Sequence, residues 1–460
     1  MDKTCLIIFL TLFLTLMMTT ELFGREESFL KSRRILPVDE VWTGSSPRFA
    51  ILTHSGHQYV GYYDANRQMT IAARSLDSDQ WEMKKLDDFI SWDSHNFISM
   101  AFDSEGNLHV SGNMHCAPLR YYRTAKPGDI STLEAVHKMV GRQEDRVTYP
   151  RFFKDAAGQL YFTYRDGSSG NGVNFVNRYD AEKREWRRCG DKPFMDGEGQ
   201  MSAYHFYPVL DPEGNFHAAW CWRDTPDVLT NHDVSYARGV GGLDRWEKAD
   251  GTPIQLPLTI HNTDIIDSVG TNSGLMNNVQ FSLDSQNRPM VSYIKYDPRG
   301  RTQLYIMRLE NGRWKRYQTT NWDSRWEFEG LGSIGAKIWF TGPAPWGSEG
   351  ILAQTFVNLF IAPYAQIRFL DEKTLQPVCE PLRLYPPDLD NISPQDKDSW
   401  QLNWVGLDFD ELERAGRVWL LRWRSMRPNR DQPRDSVPPP SKLEVVEMVA
   451  VDNTPWKTSL

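Results

Sequence analysis

Four side chains of this sequence could do chemistry together: His95, His115, Tyr149 and Arg165. Imidazole, phenol and guanidinium are the groups needed to remove a proton from the carbon beside a carboxylate and expel the oxygen on the next carbon. In a sugar chain, that β-elimination opens the glycosidic bond at a uronic acid.

The local sequence predicts how such groups could be brought together. Trp92-Asp93-Ser94-His95-Asn96 precedes an apolar strand, and Ser111-Gly112-Asn113-Met114-His115 ends the next one. The following unit repeats the design, with Arg146-Val147-Thr148-Tyr149-Pro150 entering a strand and Tyr164-Arg165-Asp166-Gly167 leaving its neighbour. Each unit thus places a polar residue at equivalent strand edges, which adjacent units would turn toward one funnel.

Composition favours strands as the scaffold. The chain has 17 Trp, 18 Tyr and 22 Phe, with 32 Gly and 27 Pro, so short aromatic-rich strands cut by turns fit better than helices. A degenerate repeat agrees: Asp103-Ser-Glu-Gly, Asp155-Ala-Ala-Gly, Asp211-Pro-Glu-Gly and, more loosely, Asp284-Ser-Gln-Asn each precede an alternating run. Asp bonds its own following amides, and Gly accepts positive φ, so each repeat predicts a tight turn. Trp186, Trp246 and Trp314 close three such units, and Trp81 closes an earlier one. Units starting near 47, 92, 147, 202, 277, 331 and 400 predict an all-β fold, a seven-bladed β-propeller of four-stranded blades over 25–460 in one domain. A two-sheet sandwich array is the weaker alternative.

Residues 1–24 read as a signal peptide: Lys3 is followed by an apolar run from Cys5 to Met18, too short for a comfortable membrane span. A secreted or periplasmic protein without a membrane span is expected, and a monomer. Cys116, Cys189, Cys221 and Cys379 lack metal or redox spacing, so buried free thiols are favoured over one disulfide. A net charge of −8 argues against a nucleic-acid partner, and an acidic substrate would have to be held by local Arg, Lys and His. No metal-ligand cluster is legible in the spacing, and no metal or other cofactor is expected.

The elements WDSHN, SGNMH, DRVTYPRF, YRDGSSGNG, WRDTPDVLTNHDVSYAR and KYDPRGRTQLY together resemble the BNR-4 repeat propeller family, over about Val41 to Arg308. That family includes ulvan lyases and lyases acting on rhamnosyl-glucuronate termini. The resemblance implies a His, His, Tyr, Arg site at His95, His115, Tyr149 and Arg165, and an acidic rhamnose-containing glycan, such as ulvan or an arabinogalactan side chain, as partner. Arg165 would neutralise the carboxylate, since a guanidinium binds it with two parallel bonds. Tyr149 would protonate the departing O4, His95 or Tyr149 would take the C5 proton, and His115 would position the carboxylate. Glucuronate has H5 and O4 on one ring face, so Tyr149 alone could serve both steps; iduronate would need His95 opposite. Asn113, Tyr204, His205, Arg223 and Asn277 are candidate substrate contacts, with Trp222 stacking on a sugar ring.

Two other function classes compete. A related group of propellers resembles α-L-rhamnosidases that use a histidine on the opposite face, where this chain has His54 and His57. A non-catalytic glycan-binding propeller is the third, and the presence of all four candidate catalytic residues argues against it. The arginine triad and Tyr–Glu pair of a sialidase are not found. His109, His217 and His232 read as structural histidines.

Overall fold

The computed structural model describes residues 28–204, 208–347, 350–390 and 399–451; the expected signal peptide and His205 lie outside them. The described residues form seven antiparallel sheets in succession along the chain. Their innermost strands begin at Ala50, Ile98, Val147, Ser202, Gln280, Ile338 and Trp400, close to the expected unit starts, and the fold is the expected all-β propeller. Blade size departs from expectation: the third, fourth and sixth sheets carry more than four strands. The third is widened because His115–Ala117, in the connection leaving the second blade, pairs with Val147–Lys154. No helix among the described residues is long and apolar enough to cross a membrane.

The last blade takes three strands from the C-terminal region, Trp400–Val405, Val418–Met426 and Ser441–Ala450. Its fourth is Leu30–Val41, in register from Leu30 opposite Ala450 to Val41 opposite Ser441. The ring is therefore closed by hydrogen bonds between the two ends of the described chain, which leaves fewer bare strand edges.

Second strands such as His57–Tyr63, Phe216–Arg223 and Pro289–Tyr296 are buried along nearly their whole length, because neighbouring blades cover both faces. The residues between blades are largely aromatic and aliphatic, as in the cluster of Trp42, Phe49, Tyr62, Tyr63, Leu421 and Trp423 that joins the first and last blades. Each fully buried side chain of this kind contributes about 1.5–3 kcal/mol. Trp186 and Trp314 lie on outermost strands and Trp81 immediately precedes one, as their spacing predicts, whereas Trp246 lies on the fourth strand of its sheet, inside Pro253–Ile254.

The Asp repeats form the turns between first and second strands. Asp103 Oδ1 accepts the amides of Glu105 and Asn107 at 3.0 and 2.8 Å, and Asp155 and Asp284 repeat the pattern. Gly106, Gly158 and Gly214 have φ of 79°, 79° and 84°; in the fourth repeat Asn287 takes the position at 58°, the substitution that left-handed backbone tolerates best. These turns lie at one end of the ring. Connections entering first strands and leaving second strands lie at the other, where the candidate residues are found.

The four cysteines among the described residues are free, as favoured, yet Cys116 is exposed and of these four only Cys221 is buried. Cys116 sits in a connection with φ 54° rather than in a core strand.

Candidate active site

His115, Thr148 and Arg165 form one cross-strand row: Thr148 is in register with His115 on one side and Arg165 on the other. Tyr149 escapes that row. The register shifts between Thr148 and Arg151, Pro150 has no amide to donate, and Tyr149 takes φ 57°. A non-glycine residue held there costs about 1–3 kcal/mol, and such strain clusters at functional sites. The stem of Arg165 is accommodated by Gly172, where an added Cβ would lie 2.7 Å from Arg165 Cδ.

The four predicted residues meet. The rings of His95 and His115 stack at 4.1 Å, and Tyr149 lies 6.0 and 6.3 Å from them. Arg165 Cζ is 4.9 Å from the Tyr149 ring and 5.4 Å from that of Tyr204. Arg165 is only 1% exposed. Its Nε donates to Gly167 O at 3.3 Å, while Nη1 has no acceptor among the described residues. The neighbouring Asp166 faces Arg146 instead, at 3.7 Å. Two tyrosine rings thus cover Arg165, which charges the floor of the site and does not present an open fork to a carboxylate.

Asp93 organises the imidazoles. Its Oδ1 accepts from His95 Nδ1 at 2.8 Å and from the His95 amide, and its Oδ2 accepts from His115 Nδ1 at 2.6 Å. Asp431, from the last blade, lies 3.3 Å from His95 Nδ1, and Ser333 Oγ lies 3.2 Å from it. Burial opposes charge on His95, but the Tyr149 oxygen and the carboxylates of Asp431 and Asp93 overcome it, raising its pKa well above the usual imidazole value. Burial likewise opposes ionisation of Asp93, and hydrogen bonds from His115 and His95 hold its carboxyl far below the ordinary range. The cationic form of His95 is thereby favoured, with Nδ1 engaged by Asp93, Asp431 and Ser333. Asp93, His95 and His115 also bring three donor atoms of metal-ligand type within 4.8 Å of one another, a cluster that spacing along the chain did not disclose.

Tyr204 extends the site. Burial would raise its pKa, but Arg165 and Arg223 lower it; Arg223 Nη1 donates to its oxygen at 3.2 Å, and Ser169 makes a short hydrogen bond to it. Arg223 is fixed by Asn231 at 2.7 Å and Asn277 at 2.9 Å.

Other expected contacts fall elsewhere. Trp222 is fully buried with its Nε1 bonded to Ser235 Oγ, so it belongs to the core and offers no face to a sugar. Asn113 is buried too, its amide donating to Asp88 and Phe89. His54 and His57 pair across the first hairpin at the opposite end of the ring, His54 stacking at 4.0 Å on Phe102. Asp93, Asp431, Ser333 and Ser169 were missed. Asp93 had a signal, standing two residues before His95 as an Asx turn would require; Asp431 had none.

Comparison with known proteins agrees with this fold. Residues 57–322, more than half of the chain, match the BNR repeat-containing family. The chain belongs to that family. A curated relative, the short isoform of an ulvan lyase from Alteromonas sp. (strain LOR), is 26% identical over 137 residues, which cover 26% of this chain and 25% of that protein. The crystal structure of polysaccharide lyase Uly1 superposes with a TM-score of 0.63 at 13% identity, covering 90% of this chain and 99% of that one. A PL25 ulvan lyase bound to -[GlcA(1-4)Rha3S]- gives 0.60 at 14% identity over 94% and 99%. At such identities the two structures speak for the BNR-family chain's fold.

Proposed function

We propose that this protein is a polysaccharide lyase that cleaves a rhamnose-(1→4)-uronic acid linkage by β-elimination. The observation that carries this reading is the strained Tyr149, set between a buried guanidinium and two imidazoles that share one carboxylate. The curated ulvan lyase and the glycan-bound structure support the substrate class.

In the proposed reaction, charged His95 and its neighbour His115 receive the uronate carboxylate, since they are the partly open groups of the cluster. Tyr149, beside the Arg165 guanidinium, is the base that takes the C5 proton. The C5 electron pair forms the C4–C5 double bond, the C4–O4 bond breaks, and the Tyr149 hydroxyl returns the proton to O4. A protonated His95 is an acid rather than a base, so glucuronate, with both groups on one face, suits this site better than iduronate.

Glucuronate–rhamnose oligosaccharides should yield an unsaturated product with the near-ultraviolet absorbance of a double bond conjugated to a carboxylate. Tyr149→Phe should lower kcat by roughly a hundredfold or more, the usual worth of a positioned acid–base group. New reducing ends without that absorbance would indicate a hydrolase, and normal turnover by Tyr149→Phe would refute the assignment.

A further inference from the structure

The WRDTPD element of the fourth blade makes contacts that its own sheet does not require. Residues 319–337 join Arg313–Gln318 of the fifth sheet to Ile338–Phe340 of the sixth, and exceed the roughly 12–15 residues beyond which an irregular loop is usually functional. They form a strap across the end of the ring that carries the active site. On one side the strap is tied to the fourth blade: Asp227 Oδ1 accepts the Gly330 amide at 2.7 Å and the Leu229 amide at 2.9 Å, and the Val228 amide donates to Gly330 O at 3.2 Å. On the other side it meets the last blade. There Arg430 Nη1 donates to Glu329 O and Leu331 O at 2.8 and 3.0 Å, and the Arg430 amide donates to Ser333 O at 3.2 Å. Leu331, between these anchors, is 61% exposed, so hydrogen bonds rather than apolar burial hold the strap at that point.

The strap reaches His95. The Ser333 amide donates at 2.7 Å to Asp431 Oδ2, the oxygen that lies 3.3 Å from His95 Nδ1, and Ser333 Oγ stands 3.2 Å from the same nitrogen. The other oxygen, Asp431 Oδ1, accepts the Ser94 amide at 3.1 Å. Arg430 and Asp431 have φ of 52° and 62°, conformations that persist where the surroundings over-determine them. The strap supplies that constraint, for Gly332 packs so closely that an added Cβ would lie 2.7 Å from Arg430 O. The aim of Asp431 thus depends on the seating of the strap.

We propose that Asp227 and Ser333 are positioning residues of the active site, Asp227 by anchoring the strap and Ser333 by holding Asp431 against His95; the inference rests on the lyase reading above. Asp227 then serves the reaction from the fourth blade without touching the reacting atoms.

The test is the pH profile of kcat/KM on glucuronate–rhamnose oligosaccharides for wild type, Asp227→Ala, Asp227→Asn and Ser333→Ala, with melting curves to confirm folding. Among the described residues Asp93, His115, Tyr149 and Asp431 are the titratable groups that face His95, and all four stay in place in these variants. Loosening Asp431 lowers the His95 pKa, so the alkaline limb should move to lower pH in Asp227→Ala, by about one unit, the low end of what one adjacent carboxylate contributes. Ser333→Ala should move it the same way. Asp227→Asn keeps an oxygen for both amides and should retain the wild-type limb. An unmoved limb in either folded alanine variant, or an Asn variant that behaves as Ala, would overturn the proposal. If Asp227→Ala does not fold, Ser333→Ala, which removes a single hydroxyl, decides. If the wild type forms no unsaturated product, the lyase reading fails separately. The strap is then judged by NMR titration of the His95 ring, assigned by its loss in His95→Gln: a lower pKa in the alanine variants supports the proposal, and an unchanged one overturns it.

Discussion

One carboxylate, Asp93, serves two imidazoles and so gives them a common orientation. Asp431 then breaks the symmetry, approaching His95 alone. Because His95 has a raised pKa, its ion pairs contribute stability fully below the ordinary imidazole value, and that contribution is lost as pH rises through the higher folded-state value. Asp93, with a lowered pKa, acts oppositely: its contribution is present above the ordinary carboxylate value and lost as pH falls toward the folded one. Activity that needs charged His95 should hold through neutrality and decline on an alkaline limb. Asp431→Asn should move that limb to lower pH, and a kcat/KM profile reads the shift; an unmoved limb would mean that Asp431 does not hold the charge. At this scale the sequence disclosed the reactive residue types but not their exposure. Arg165 and Trp222 both carry groups suited to a ligand, yet neighbouring strands and rings bury them, and no local pattern announces that.

Elements explain why the same residue type does different work. His109 and His217 each join an Asp turn to a buried tyrosine, His109 linking Asp103 at 3.1 Å and Tyr121 at 2.8 Å, and His217 linking Asp211 at 3.1 Å and Tyr236 at 2.7 Å. Burial lowers the pKa of both, keeping them neutral, as befits fixed members of a turn. His217→Ala should destabilise the protein by about 1–3 kcal/mol, because it strands a buried carboxylate and hydroxyl. Denaturant unfolding measures that loss, and KM for a short substrate should stay as in wild type. The structural reading of these histidines, the turns and the closing tryptophans were legible because they depend on short-range sequence. The bulge at Tyr149 and the transfer of His115–Ala117 to the next sheet were not, since both depend on a partner strand's register.

The whole ring depends on Leu30–Val41 completing the last blade. Deleting residues through Val41 should uncover Ser441–Ala450 as a long edge strand; a lower, broadened melting transition with aggregation is expected, and an unchanged melting curve would show that closure lies elsewhere. The number of units was readable from repeat length, whereas the strand that closes the ring carries no repeat signature. Asp431 belongs to the same long-range class, lying 336 positions from His95 in the chain. A nascent polypeptide therefore exhibits its imidazoles long before their distant counter-ion has been synthesised. Chemistry at His95 becomes a property of the finished toroid, and a fragment ending before residue 431 should bind glycan poorly and turn over none.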